Sequence, residues 1–326
     1  MKILIDVDTL EEEGVLTPAL AAVLRKHAVR DTGSTAINLL LAFGAVVLAA
    51  GAGALVPTAS VALMIGLAFI GAGWFVSKNH AEQWGKLGSI WMVIGGLLSA
   101  GAVGMLVGYT VENGAIVERP MLGSIAGAAV LAAVALLAES YLLIALVPFA
   151  LCAAIGSTTG YWHATYMVCI REPTLTIALF TALGLIGWEV SKRLRGVREG
   201  MAIAFTRVCV IFVNMGFWIG SLWGDTPGAL WKDPEGSSWS YNYVPQIPAT
   251  TFIVGWAVAL LAAGAWGAKN GRRFLVNTVA VFGAIHFYTQ WFEHLGADPL
   301  SVMIAGTATI GFGIALWKYN QKQVSA

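Results

Sequence analysis

The chain has 326 residues, 58% of them hydrophobic and only 11% charged, with a mean hydropathy of +0.75. A water-soluble domain carries about 25% charged residues, so this composition excludes an ordinary soluble enzyme and a disordered chain alike. The net charge of +1 supplies no field for a polyanion, so no nucleic-acid partner is expected, while 38 glycines beside 13 tryptophans suit helices packed closely in a lipid bilayer.

Residues 1–32 read as a separate cytosolic helical segment. Asp8 or Thr9 can cap a short acidic helix that stops at Gly14, and Thr17-Pro18 is an N-cap and first-turn pair for the next. In that second helix Leu20, Val23, Leu24 and His27 share a face, with Arg25, Lys26 and Arg30 beside the membrane. It reads as a solvated collar or as a helix that docks a partner. Only Ile3 to Ile5 are apolar before Asp6, so no cleavable signal is expected and the first hydrophobic span should be retained.

A bilayer core of about 30 Å takes roughly 20 apolar residues per helix. That ruler predicts an all-α, polytopic transmembrane bundle of about ten spans. They cover residues 33–56, 58–77, 87–110, 121–138, 141–157, 173–190, 201–223, 246–268, 275–295 and 300–319. The membrane domain is thus 33–319, with a cytosolic tail at 320–326. The stretch 121–158 is too long for one crossing and is divided at Glu139-Ser140 into two short ones with a tight hairpin.

Charge supports that division. With the N-terminus in the cytosol, the inner segments hold Lys2, Arg25, Lys26, Arg30, Lys78, Lys86, Lys192, Arg193, Arg195, Arg198, Lys269, Arg272, Arg273, Lys318 and Lys322. The outer segments hold only Arg119, Arg171 and Lys232, and Arg207 falls inside a span. Cytosolic loops carry the Lys/Arg excess, so the expected arrangement is N-in, C-in. Trp74, Trp91, Trp188, Trp266 and Trp317 fall at inner span ends, and Trp162, Trp218, Trp223 and Trp291 toward outer ends; Trp256 lies near mid-span.

Small residues recur every four positions as Gly96, Ala100, Gly104 and Gly108 in the third span and Ser301, Ala305, Thr309 and Gly313 in the tenth. Gly123 and Gly127 repeat the device in the fourth. These ridges predict close packing, within one subunit or with a second copy or another membrane protein. Five plus five spans would also permit an inverted repeat, although the halves share no sequence similarity. The longest outer loop, 224–245, mixes Trp231, Trp239, Tyr241 and Tyr243 with Asp225, Asp233 and Glu235. It suits sugar stacking or a vestibule cover, or a lid resting on lipid headgroups.

Polar groups in lipid are costly and mark candidate sites. In the ninth span His286, Gln290, Glu293 and His294 occupy positions i, i+4, i+7 and i+8, one face of a helix that also carries Tyr288. Such a stripe can relay protons, bind a cation or hold a polar substrate, or it can simply bond neighbouring helices. His163, in the outer polar stretch 157–166, and Asn214, in the seventh span, are further candidates; the structural reading for Asn214 is interhelical bonding. His163, His286 and His294 lack a recognised metal spacing, so no metal, cofactor or catalytic residue is assigned. Cys152, Cys169 and Cys209 read as apolar fillers, Glu189 as the partner of Lys192 and Arg193, and Arg207 as a snorkelling side chain.

Two stretches carry a resemblance. Leu10 to Leu24 (LEEEGVLTPALAAVL), followed by a Gly/Ala-rich first span, resembles the opening of an uncharacterised bacterial family of multi-pass membrane proteins. Residues 290–318, with their aromatic-acidic patch, short turn and Gly-rich last span, are similar to that family's end. The resemblance implies a bacterial cytoplasmic membrane and assigns no activity. The leading expectation is a small permease or channel-like transporter with an outward-facing polar site. The alternatives are a non-catalytic assembly or sensor component, and a membrane enzyme using Asp225, Asp233 or Glu235 on lipid-linked or wall sugars.

Overall fold

The computed structural model describes residues 10–11, 14–27, 44, 58–112, 115–162, 165–232, 246–296 and 298–324. The expected first span, 33–56, therefore lies outside the described residues except for Gly44. Helix α1 (Pro18–His27) begins where Thr17 and Pro18 predict: the Thr17 hydroxyl accepts from the Leu20 amide at 3.4 Å, and proline occupies the first turn, where its missing N–H costs nothing.

Two long helices follow as a hairpin, α2 (Ala59–Asn79) and α3 (Ala81–Gly108), joined at His80. Their seam is glycine against glycine. A Cβ on Gly73 would fall 2.6 Å from the Gly88 carbonyl oxygen, and one on Gly95 would fall 2.8 Å from the Ile70 amide nitrogen. Only residues without side chains let the two backbones approach this closely. The ridge on the other side of α3 meets α4 (Pro120–Ala138) in the same way: a Cβ on Gly127 would stand 3.1 Å from the Ala100 oxygen, and Gly123 lies against Gly104 and Gly108. These small residues pack within the chain.

Helix α4 ends at Ala138, and Glu139 turns the chain with φ 48°, the left-handed conformation of a helix stop. Ser140 then caps α5 (Tyr141–Ala154) by accepting from the Leu143 amide at 3.3 Å. The 121–158 stretch thus forms two helices divided at Glu139-Ser140. At 14 residues, with Pro148 inside, α5 is about 21 Å long, shorter than the hydrocarbon layer.

After α5 come α6 (Pro173–Ser191), α7 (Val197–Trp223), the single turn α8 (Ala229–Lys232), α9 (Ala249–Lys269), α10 (Arg273–Leu295) and α11 (Pro299–Val324). Six of the described helices, α2, α3, α4, α6, α7 and α9, are long and apolar enough to cross a membrane, which suggests a membrane protein. Exposed side chains such as Leu67, Leu136, Leu185, Val258 and Leu261 give the bundle an apolar exterior suited to lipid.

Two connections are β-hairpins that the helical reading did not foresee. Strands β1 (Tyr109–Glu112) and β2 (Ala115–Glu118) pair antiparallel between α3 and α4, so Tyr109 and Thr110 are strand rather than helix end. Strands β3 (Thr158–Trp162) and β4 (Thr165–Cys169) pair between α5 and α6, which turns the polar stretch 157–166 into a ribbon. A four- or five-residue strand was hidden by the apolar spans flanking it, because short apolar runs have no distinguishing period.

Both hairpins, residues 224–232 and Gly296 lie at one end of the antiparallel bundle, called here the hairpin end. His80, Glu139-Ser140, residues 192–196 and Asn270–Arg272 lie at the other. Lys78, Lys192, Arg193, Arg195, Lys269, Arg272 and Arg273 gather at that basic end.

Candidate functional site

Helices α6, α7, α9 and α10 hold the polar groups that an apolar bundle has to justify. Asn214 sits on α7 with its amide nitrogen donating to the Val210 carbonyl at 2.8 Å, one turn back. That bond turns its oxygen toward α9, where the Trp256 indole N–H donates to it at 3.0 Å. Indole nitrogen is a donor only, so it requires an acceptor when buried, and Trp256 is fully buried. Its ring meets His286 of α10 edge-on, with centroids 4.9 Å apart. Asn214, Trp256 and His286 therefore form one layer across three helices.

The layer continues toward the hairpin end. The Trp218 indole donates to the Thr289 hydroxyl at 3.1 Å, tying α7 to α10 a second time. His286 Nδ1 and Gln290 Nε2 are buried and meet no partner among the described residues. Glu293, two turns on along the same face, is exposed. The predicted stripe is thus divided: His286 and Gln290 turn into the bundle and Glu293 does not. Tyr288 bonds the Ala305 carbonyl at 3.2 Å and the Thr309 hydroxyl, while Trp291 donates to Ser301, so the α11 ridge is held by aromatic side chains of α10. The side chain of His294 and the whole of His163 lie outside the described residues.

On the basic side of this layer a cavity of about 720 Å³ opens between the four helices. Asn214 is the one predicted site residue in its described lining. Phe180, Val210, Phe217, Leu260 and Val279 form apolar walls, and Trp188, Trp266, Arg207, Arg272 and Arg273 surround the basic end. The Arg207 guanidinium lies over the Phe274 ring at 4.9 Å, and that of Arg272 over Trp188 at 4.7 Å. Neither arginine meets a carboxylate among the described residues, and no Asp or Glu lines the cavity. Sequence reasoning missed this rim because Arg272 and Arg273 were already explained as orienting charges. The available signal was an in-span arginine at the depth of flanking tryptophans.

No family model, curated protein or solved structure matches this chain. The likeness of its two ends to a bacterial membrane family therefore carries no family assignment, and geometry alone bears the functional reading.

At the hairpin end, carboxylates serve as clasps. Glu172 is 1% exposed and accepts from the Leu230 amide at 2.8 Å and the Gly228 amide at 3.2 Å, fixing the start of α8. Asp225 accepts from the Thr174 amide at 2.8 Å and so caps α6, while its backbone pairs with Ile247. Asp225 is thus engaged structurally, and Asp233 and Glu235 lie outside the described residues. Among the described residues no three His, Cys, Asp or Glu side chains are grouped to hold a metal. Cys152 and Cys209 are buried and free.

Proposed function

We propose that this chain is a small permease of a bacterial cytoplasmic membrane, with ten spans and both tails in the cytosol. Its binding chamber is the cavity between α6, α7, α9 and α10, and its barrier is the layer of Asn214, Trp256 and His286. The observation that carries the reading is that the chamber floor at Asn214 is hydrogen-bonded to a buried Trp256 packed on His286, beyond which Gln290 continues the polar route. A chamber, a single bulky plug and polar groups on its far side are the parts an alternating route requires. Under the cytosolic placement of the basic end, this chamber faces inward. The polar groups expected on the outer side form the far half of the same route.

The test is anion leak through proteoliposomes that hold an iodide-sensitive fluorophore. Trp256→Ala removes the plug and should raise the iodide leak about tenfold over the native chain, while Leu261→Ala, on the exposed face of α9, should not. Equal leak through native and Trp256→Ala protein of matched fold would contradict the permease reading.

A further inference from the structure

We infer that the chamber binds a single-chain anionic amphiphile, with a carboxylate or phosphate head at Arg207 and Arg272 and its apolar body lying toward Asn214. This deepens the permease reading and rests on it for the role of the chamber.

Charge comes first. Arg207 lies about 15 Å along α7 from Val197, at ten residues and 1.5 Å per residue, where a guanidinium in lipid is expensive. Proteins normally offset that cost with a carboxylate, and the described lining has none. Instead Arg207 lies over Phe274, and Arg272 lies over Trp188. Stacking occupies the flat face of a guanidinium and leaves its N–H edge to donate to a planar or tetrahedral oxyanion. A cationic or neutral head would leave both arginines uncompensated.

Shape supplies the rest. From Arg207 to Asn214 the wall runs seven residues, about 10 Å, past Val210 and facing Leu260. A volume of about 720 Å³ lies within the usual range for one small molecule. Asn214 uses one amide hydrogen on Val210 and its oxygen on Trp256, so its end of the cavity offers little to a second charge. One charged end and one apolar end define an amphiphile, and a single chain fits the volume.

The experiment uses the full chain in nanodiscs of phosphatidylcholine, titrated with 2-bromododecanoate, whose bromine lies beside the carboxylate and quenches nearby tryptophan. Saturable quenching is expected, lost in part when Trp188 or Trp266 becomes Phe. Arg207→Gln and Arg272→Gln should each weaken binding about tenfold, while Arg207→Lys and Arg272→Lys, which keep the charge but lose the stacked planar fork, should weaken it less than the glutamine variants. The lysine variants and unchanged Trp256 emission separate lost binding from lost folding. Absence of saturation, equal affinity for the brominated alcohol or trimethylammonium analogue, or unchanged affinity in both glutamine variants overturns the proposal. So does displacement by phosphatidylglycerol at the same mole fraction, which would make the occupant a bilayer lipid. Binding without leak through Trp256→Ala would remove the permease and leave this site; leak without binding would do the reverse.

Discussion

Trp256 of α9 and Asn214 of α7 close a hydrogen bond of 3.0 Å with both side chains buried, and the same indole packs against His286 of α10. Removing either partner strands the other. Asn214→Ala leaves a buried indole N–H without an acceptor and should lower stability by about 1–3 kcal/mol. Trp256→Phe leaves the amide oxygen unpaired and should cost a similar amount. Because the two residues share one bond, the double variant should lose less than the sum, with a coupling of about 0.5–2 kcal/mol read from unfolding in mixed micelles. Strict additivity would show that the bond contributes nothing.

The α2–α3 seam predicts a contrast between two glycines. A Cβ on Gly73 would meet the Gly88 oxygen at 2.6 Å and the Met92 amide nitrogen at 2.9 Å, so Gly73→Ala must separate the helices and should cost about 1–3 kcal/mol. Gly101, on α3, has open space where its Cβ would stand. Gly101→Ala should be neutral or stabilising by up to about 1 kcal/mol. Thermal unfolding of both variants in detergent checks the order.

Glu172 is predicted to hold the start of the long connection. Its carboxylate takes both the Gly228 and Leu230 amides, so Glu172→Ala leaves two donors to find other partners. Limited trypsinolysis should then cut after Lys232 about tenfold faster than in the native chain, as local opening becomes easier. Glu172→Gln keeps the acceptor oxygen and should lie between the two. An unchanged cleavage rate in Glu172→Ala would show that the clasp does not restrain this turn.

The basic end is predicted to lie in the cytosol. A reporter active only in the cytosol should be active when fused before Met1 and when fused after Ala326. One active and one silent fusion would rule out an even number of spans.

Much of the helical layout was legible because 20-residue apolar runs carry a strong signal and because Thr58, Ser140 and the Thr17-Pro18 pair are local stop and start marks. The α3 ridge and Gly123 of α4 were equally visible, though not that the two would meet. The two β-hairpins were hidden because four-residue strands such as Tyr109–Glu112 sit directly against apolar helices. His286 and Asn214 were visible as polar residues in lipid. Their connection through Trp256 was invisible, since a mid-span tryptophan gives no sign of the residue its N–H faces. The arginine rim required α6, α7 and the start of α10 to meet in space, and a single sequence does not report such meetings.

Cysteine accessibility tests the central claim most directly: a chamber open at the basic end and closed at Trp256. In a chain with Cys152, Cys169 and Cys209 replaced by Ser, Thr278→Cys places a thiol on the chamber wall and Gln290→Cys one beyond the barrier. A membrane-impermeant maleimide should label Thr278→Cys in inside-out vesicles and leave it unlabelled in right-side-out ones. Trp256→Ala should expose Thr278→Cys from both sides. Labelling of Thr278→Cys from neither side, or from both with Trp256 intact, would contradict the account.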